Sequence, residues 1–152
     1  SAASDVYKRQ SLACARAASN SMNTSLYEYL NIMYKGMSNK DSAMSIPVPM
    51  LNIMNGGCHA NNSVDIQEFM IIPSKKFNFK DGLMKSVEVY NHLKNLLKEK
   101  GLSVSVGDEG GFAPSLKKSE EVLDLIIESI LQCNNELYLK KCLIKLHRKR
   151  SC

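Results

Sequence analysis

Two apolar runs followed by two long amphipathic patterns constrain this chain more than anything else in it. I-P-V-P-M-L-N-I-M (46–54) reads as a buried strand, its prolines placed early, where a missing N–H is tolerated. N-G-G-C-H-A-N-N (55–62) is a loop, and D-I-Q-E-F-M-I-I-P (65–73) is a second strand, nearly continuous in its apolar residues around Gln67 and Glu68. Asn78 is placed to cap a helix reaching Lys100, with Asp81 three residues on in a capping-box-like position. Leu83, Val87, Tyr90, Leu93 and Leu97 recur at helical spacing as a core-facing stripe, and Gly101 follows as a stop. Further on, Ser119 is expected to cap another helix, with Glu120 and Glu121 suited to its N-terminal dipole. Val122, Leu123, Ile126, Ile127 and Ile130 form the face expected to be buried. The order from Ile46 is strand, strand, helix, helix, without an internal repeat.

Upstream the texture differs. Residues 1–10, S-A-A-S-D-V-Y-K-R-Q, relate to nothing that follows; they are read as a non-native scar and set aside from fold reasoning. S-L-A-C-A-R-A-A-S, from Ser11, is alanine-rich and helical on propensity. L-Y-E-Y-L (26–30) is a further short helical piece, and the Asn, Ser, Lys and Gly of 31–45 predict a loop or linker.

A length of 152 residues fits about one domain, and an apolar share of 44% is ordinary for a globular protein. The apolar runs fall far short of the roughly 20 residues a membrane span needs, and no secretory leader pattern opens the sequence. Cysteines 14, 58, 133, 142 and 152 form no C-x-x-C pair, which excludes a zinc knuckle and argues against a disulfide framework. A reducing, cytoplasmic setting fits best. The net charge of +5 is concentrated at one end: residues 1–130 carry fourteen basic and fourteen acidic side chains, whereas 131–152 carry six basic ones against Glu136. A basic tail can bind phosphate backbones, so a basic-tailed nucleic-acid-binding or interaction module is the alternative reading. Against it, the tail is short and has no aromatic stacking platform around its charges.

Several polar residues stand in unusual company. In V-G-D-E-G-G-F-A-P (106–114), Asp108 and Glu109 are fenced by glycines. That is either a solvated turn or a loop whose backbone comes close to a ligand. His59 is either solvated or functional, and Cys58-His59 makes no metal site without partners elsewhere. Asn55-Gly56-Gly57 could offer N–H groups to a phosphate, but without G-K-[ST] it is no P-loop. Gln67 and Glu68, inside an apolar strand, must find partners, either a basic group in the core or a ligand.

Taken in order, I-P-V-P-M-L-N-I-M-N-G-G-C-H-A, V-D-I-Q-E-F-M-I-I-P and V-G-D-E-G-G-F-A-P resemble enolase of the bacterial type. The resemblance runs from S-L-A-C-A-R-A-A to near Leu131. It implies an α/β fold: the opening strand-strand-helix-helix part of an enolase-type TIM-like barrel, preceded by the helical end of a small α+β domain. On that reading 11–45 is the end of the N-terminal domain and its linker, 46–131 the start of the barrel, and 132–152 an aberrant basic tail. The chain is then expected to be a fragment. After Leu131 it departs from the family completely; Cys58 also replaces the Ser or Glu often found there, and 31–45 is not the short glycine-rich join of the family.

The implied reaction is the reversible dehydration of 2-phosphoglycerate to phosphoenolpyruvate, a cytoplasmic lyase step of glycolysis. Glu109 matches the acid that helps hydroxide leave carbon 3, and Glu68 the carboxylate that supports it. Gln67 matches a substrate-contacting side chain, and His59 the histidine of a mobile loop that closes over the substrate. A lone glutamate near pKa 4.3 would be ionised at neutral pH and useless as a donor. Beside Asp108 and across from Glu68, a further negative charge costs more, so Glu109 retains its proton. Magnesium is the implied cofactor, its ligands and the lysine base expected beyond residue 152; no metal ligand is expected within the chain. The resemblance also implies a homodimer and no membrane or nucleic-acid partner.

Overall fold

The sequence T-S-L-Y-E (24–28) builds the first joint. In the computed structural model, which describes residues 2–38, 43–57, 64–107, 110–133 and 143–147, helix α1 spans Ala2–Ser21 and α2 spans Leu26–Ser38. Ser25 Oγ accepts from Glu28 N at 3.4 Å and Ser25 N donates to the Glu28 carboxylate at 3.1 Å, a reciprocal capping box. Before it, α1 ends with Asn23 at φ 51° and Thr24 N donating back to Ser19 O at 3.0 Å, which satisfies carbonyls of the last turn. Both helices outrun the expectation. Residues 2–10, set aside above, continue into the alanine-rich segment as one helix, and α2 carries on through half of the predicted 31–45 loop. A strong cap followed by Leu, Tyr, Met and Ile outweighs one asparagine and Gly36. Residues 1–45 form one compact unit and 46–152 another.

The second unit holds β1 (Leu51–Asn55), β2 (Glu68–Ile72), α3 (Phe79–Glu99), α4 (Ser119–Gln132) and β3 (Leu143–His147). Strand β1 starts later than expected because Pro47 and Pro49 have no N–H for a ladder. It pairs antiparallel with β2, and the register steps from Asn52↔Met70 to Met54↔Phe69, so Ile53 is the extra residue of a bulge. Strand β3 pairs antiparallel with the other side of β2, from Glu68↔His147 to Ile72↔Leu143. It lies in the tail where no element was expected, although Ile144, Lys145, Leu146 and His147 alternate with the period of a strand.

Helix α3 is capped as expected: Asn78 Oδ1 accepts from Asp81 N and Asn78 Nδ2 donates to Asp81 Oδ2, both at 2.8 Å. It stops at Gly101, φ +67°, with Leu102 N donating to Leu97 O. Its buried face is rotated from the expected stripe, to Gly82, Ser86, Val89, Leu93, Leu96 and Leu97, leaving Leu83 and Val87 exposed. Small residues decide this. A Cβ on Gly82 would stand 3.0 Å from the Pro73 ring, so a larger residue would need that ring to give way. Helix α4 begins one residue earlier than a Ser119 cap would allow: Lys118 is the N-cap, without a side-chain cap bond, and Ser119 is helical. Val122, Ile126 and Ile130 are buried as expected, joined by Leu125 and Ser129; Leu123 is half-buried and Ile127 exposed. Phe69, Ile71, Val89, Leu93, Leu97, Phe112 and Ile126 form the heart of the core. Among the described residues no helix is long and apolar enough to cross a membrane.

Candidate active site

Three stretches of backbone meet where β1 ends and β2 begins. Asn55, the last residue of β1, is the register partner of Glu68, the first of β2. Along the opposite edge of β1 runs the G-G-F segment, with Phe112 N donating to Ile53 O at 3.0 Å and Asn55 N to Phe112 O at 2.8 Å. The approach is too close for any side chain at Gly111. A Cβ there would lie 2.7 Å from Asn55 Oδ1 and 2.8 Å from Met54 N. Gly56 is constrained as tightly, its Cβ position occupied by the Ile66 carbonyl and the Val64 side chain. Gly111 and Gly56 thus permit a close approach of backbone to neighbouring segments of the chain.

Gly56 N donates to Gln67 O at 3.0 Å and Gly57 N to Val64 O at 2.7 Å. Both groups are committed to the fold and do not cradle a phosphate, which closes the option left open by N-G-G. Asn55 is fully buried; its amide nitrogen donates to Gly111 O at 3.4 Å and its oxygen accepts from Asn52 Nδ2 at 2.5 Å. Gln67 is 5% exposed, and its Oε1 finds no hydrogen-bond donor among the described residues. Such an orphan costs stability and needs a reason. Glu68 is half-buried beside it.

Of the four residues singled out in the sequence, Gln67 and Glu68 are therefore neighbours at this junction. His59 and Glu109, with Cys58 and Asp108, lie outside the described residues. The backbone leading to each is described: Gly57 beside Gln67, and the glycine fence closed by Gly110 N donating to Gly107 O at 3.1 Å and Gly107 N to Gly111 O at 2.9 Å. Three further contributors went unrecognised. Asn55 and Asn52 brace the strand end, signalled only by polar residues in an otherwise apolar strand. Tyr90, expected as core, packs half-buried against it and also reaches the loop: its hydroxyl donates to Gly110 O at 3.3 Å and its ring stacks on Phe112 at 4.4 Å. Burial pushes the Tyr90 hydroxyl pKa up.

Residues 43–146 match the family model of the enolase C-terminal TIM barrel domain. This chain belongs to the enolase family. The matched span takes in all of β1, β2, α3 and α4, the junction just described, and most of β3. The enolase family is magnesium-dependent as a rule. Among the described residues of this enolase domain, however, no three His, Cys, Asp or Glu side chains cluster as a metal site. No chemical step here runs through magnesium.

Proposed function

We propose that this enolase domain supplies the acid side of a 2-phosphoglycerate dehydratase site. The observation that supports it most is the meeting of three separate segments, 55–57, 67–68 and 110–112, at one end of the β1–β2 pair. In this reading Gln67 offers its buried Oε1 to a donor on the substrate. Glu68 and Glu109 share the task of retaining and delivering the proton that accompanies hydroxide from carbon 3. Glycine at 111 lets the segment that follows Glu109 lie against β1 without a side chain between them. His59 acts from the loop after β1. The physical demand is simple: hydroxide leaves poorly unless it is protonated as it goes, and a positioned acid meets that demand. Cytoplasmic location and pairing as a homodimer belong to the same reading. The basic-tailed nucleic-acid module has no observation in its favour.

The experiment uses an intact, magnesium-saturated enolase carrying residues 46–131 of this chain. Glu109→Gln keeps the size and loses the transferable proton. Dehydration should fall by about 10²–10⁴-fold. Exchange of the carbon-2 hydrogen with solvent deuterium, an earlier step that does not use this acid, should continue. Equal loss of both in a folded protein would sink the assignment of Glu109 as acid alone.

A further inference from the structure

Helices α3 and α4 each bury one face in the core and leave a second apolar face bare. On α3 this is a ridge at four-residue spacing, Phe79, Leu83 and Val87, each 37–44% exposed. It walls a groove of about 540 Å³ that Lys80 also lines, and Phe79 is shared with a groove of about 340 Å³ that Lys75 lines. On α4 the bare face is a ridge of the same spacing, Leu123, Ile127 and Leu131, the first half-buried and the other two exposed. Rows at this spacing are the ones that most often interdigitate between packed helices. Within one copy α3 and α4 already meet through other faces, with Lys100 Nζ reaching Glu128 Oε2 at 3.3 Å, so each ridge is left open.

The two ridges are rimmed by opposite charge. Lys75 and Lys80 are exposed beside the α3 ridge, and among the described residues neither has a carboxylate partner. The nearby acids are engaged, Asp81 by the Asn78 cap and Glu88 by Lys85 at 2.9 Å. Glu120 and Asp124 are exposed beside the α4 ridge, and among the described residues neither has a cationic partner; Lys117 and Lys118 precede the helix. A basic-rimmed and an acidic-rimmed apolar ridge on one chain complement each other.

We infer that this chain associates with a second copy of itself, the α3 ridge of one copy taking the α4 ridge of the other, with Lys75 and Lys80 against Glu120 and Asp124. In a two-fold pair the same contact is made twice. The pairing gives the homodimer of the proposed function a surface and uses no residue of its catalytic site, so the two stand or fall separately.

Sedimentation equilibrium of the full 152-residue chain should show self-association at about 10–100 µM, the weak end expected of a small contact. Added salt should weaken it. Lys80→Glu and Asp124→Lys each set like charges together and should each raise the dissociation constant at least about tenfold. Both positions are exposed and both substitutions suit their helices, so circular dichroism and the urea midpoint should not change. Mixed in equal amounts, the two variants should associate about as well as the unsubstituted chain, because the reversed charge of each then faces an opposite charge on the other. Ile32→Lys, at an exposed position of α2, should change nothing. A chain monomeric throughout that range, variants that associate like the parent, or a mixture no better than its components would each overturn the inference. Loss of association in Ile32→Lys would assign the contact to the first unit and overturn it too. A dimer indifferent to every substitution would leave the homodimer reading standing and overturn this surface. Should Asp124→Lys unfold the chain, Glu120→Lys takes its place in the same mixture, with the same outcomes.

Discussion

Gly111→Ala should be strongly damaging for the addition of one methyl group. The added Cβ would lie 2.7 Å from Asn55 Oδ1, 2.8 Å from Met54 N and 2.9 Å from Met54 C. Two of these three atoms are backbone of β1 in the core, so they cannot swing aside as the end of a flexible side chain would. The G-G-F segment must therefore move off the strand. Overpacking of this kind costs about 1–3 kcal/mol. If the segment lifts, the Phe112 N to Ile53 O and Asn55 N to Phe112 O bonds weaken as well, at about 1 kcal/mol each. The sum is about 3–5 kcal/mol, a large part of the 5–15 kcal/mol that usually holds a domain together. Gly110→Ala is the control. It meets nothing within 4 Å but sits at φ +88°, so it should pay only backbone strain, about 1–2 kcal/mol. With a urea slope of about 2 kcal/mol per M, the Gly111 variant should lose about 2 M of its midpoint and the Gly110 variant under 1 M. Equal midpoints for the two, or a smaller loss at Gly111, would refute the claim that contact with β1 rather than backbone conformation demands glycine at 111.

Other expectations follow from single contacts. Asn78→Ala removes the α3 cap and should cost about 1 kcal/mol in urea unfolding, while Ser119→Ala, at a position that caps nothing, should be nearly neutral. The Glu28 carboxyl is held below its usual pKa by Ser25, through side chain and backbone, and by Thr24. Its stabilising effect on the start of α2 is therefore full above the unfolded glutamate pKa and disappears as pH falls through the lower folded value. Circular dichroism should show helicity lost on acidification in that window, and Glu28→Gln should abolish that part of the response. If these 152 residues supply only the acid side of the site, as proposed, a preparation given magnesium and 2-phosphoglycerate should show only background turnover; sustained turnover would overturn that proposal.

How much of this was legible beforehand depended on what kind of signal each feature leaves. Backbone chemistry was legible: Asn78 with Asp81, the stop at Gly101 and the strand-strand-helix-helix order all emerged where local residues dictate them. Burial was less so. Counting apolar residues on α3 pointed to Leu83 and Val87, yet Gly82, packed close to Pro73, and Ser86, whose hydroxyl donates to Gly82 O, face the interior, and neither is marked by hydrophobicity. The same limit hid Tyr90. A tyrosine at helical spacing among leucines looks like core, and periodicity carries no trace of a hydroxyl reaching a carbonyl twenty residues away. Of the candidate site, Gln67 and Glu68 could be picked out because a polar pair in an apolar strand is locally expensive, and the junction at Asn55 gives that expense a location. The asparagines that brace the junction could not, since their partners come from Gly111 and from one another only after the chain has folded. A site assembled from three segments is thus readable in its chemical groups before it is readable in its supports. Those supports are Asn55, whose amide reaches Gly111 O, and Tyr90, whose hydroxyl reaches Gly110 O.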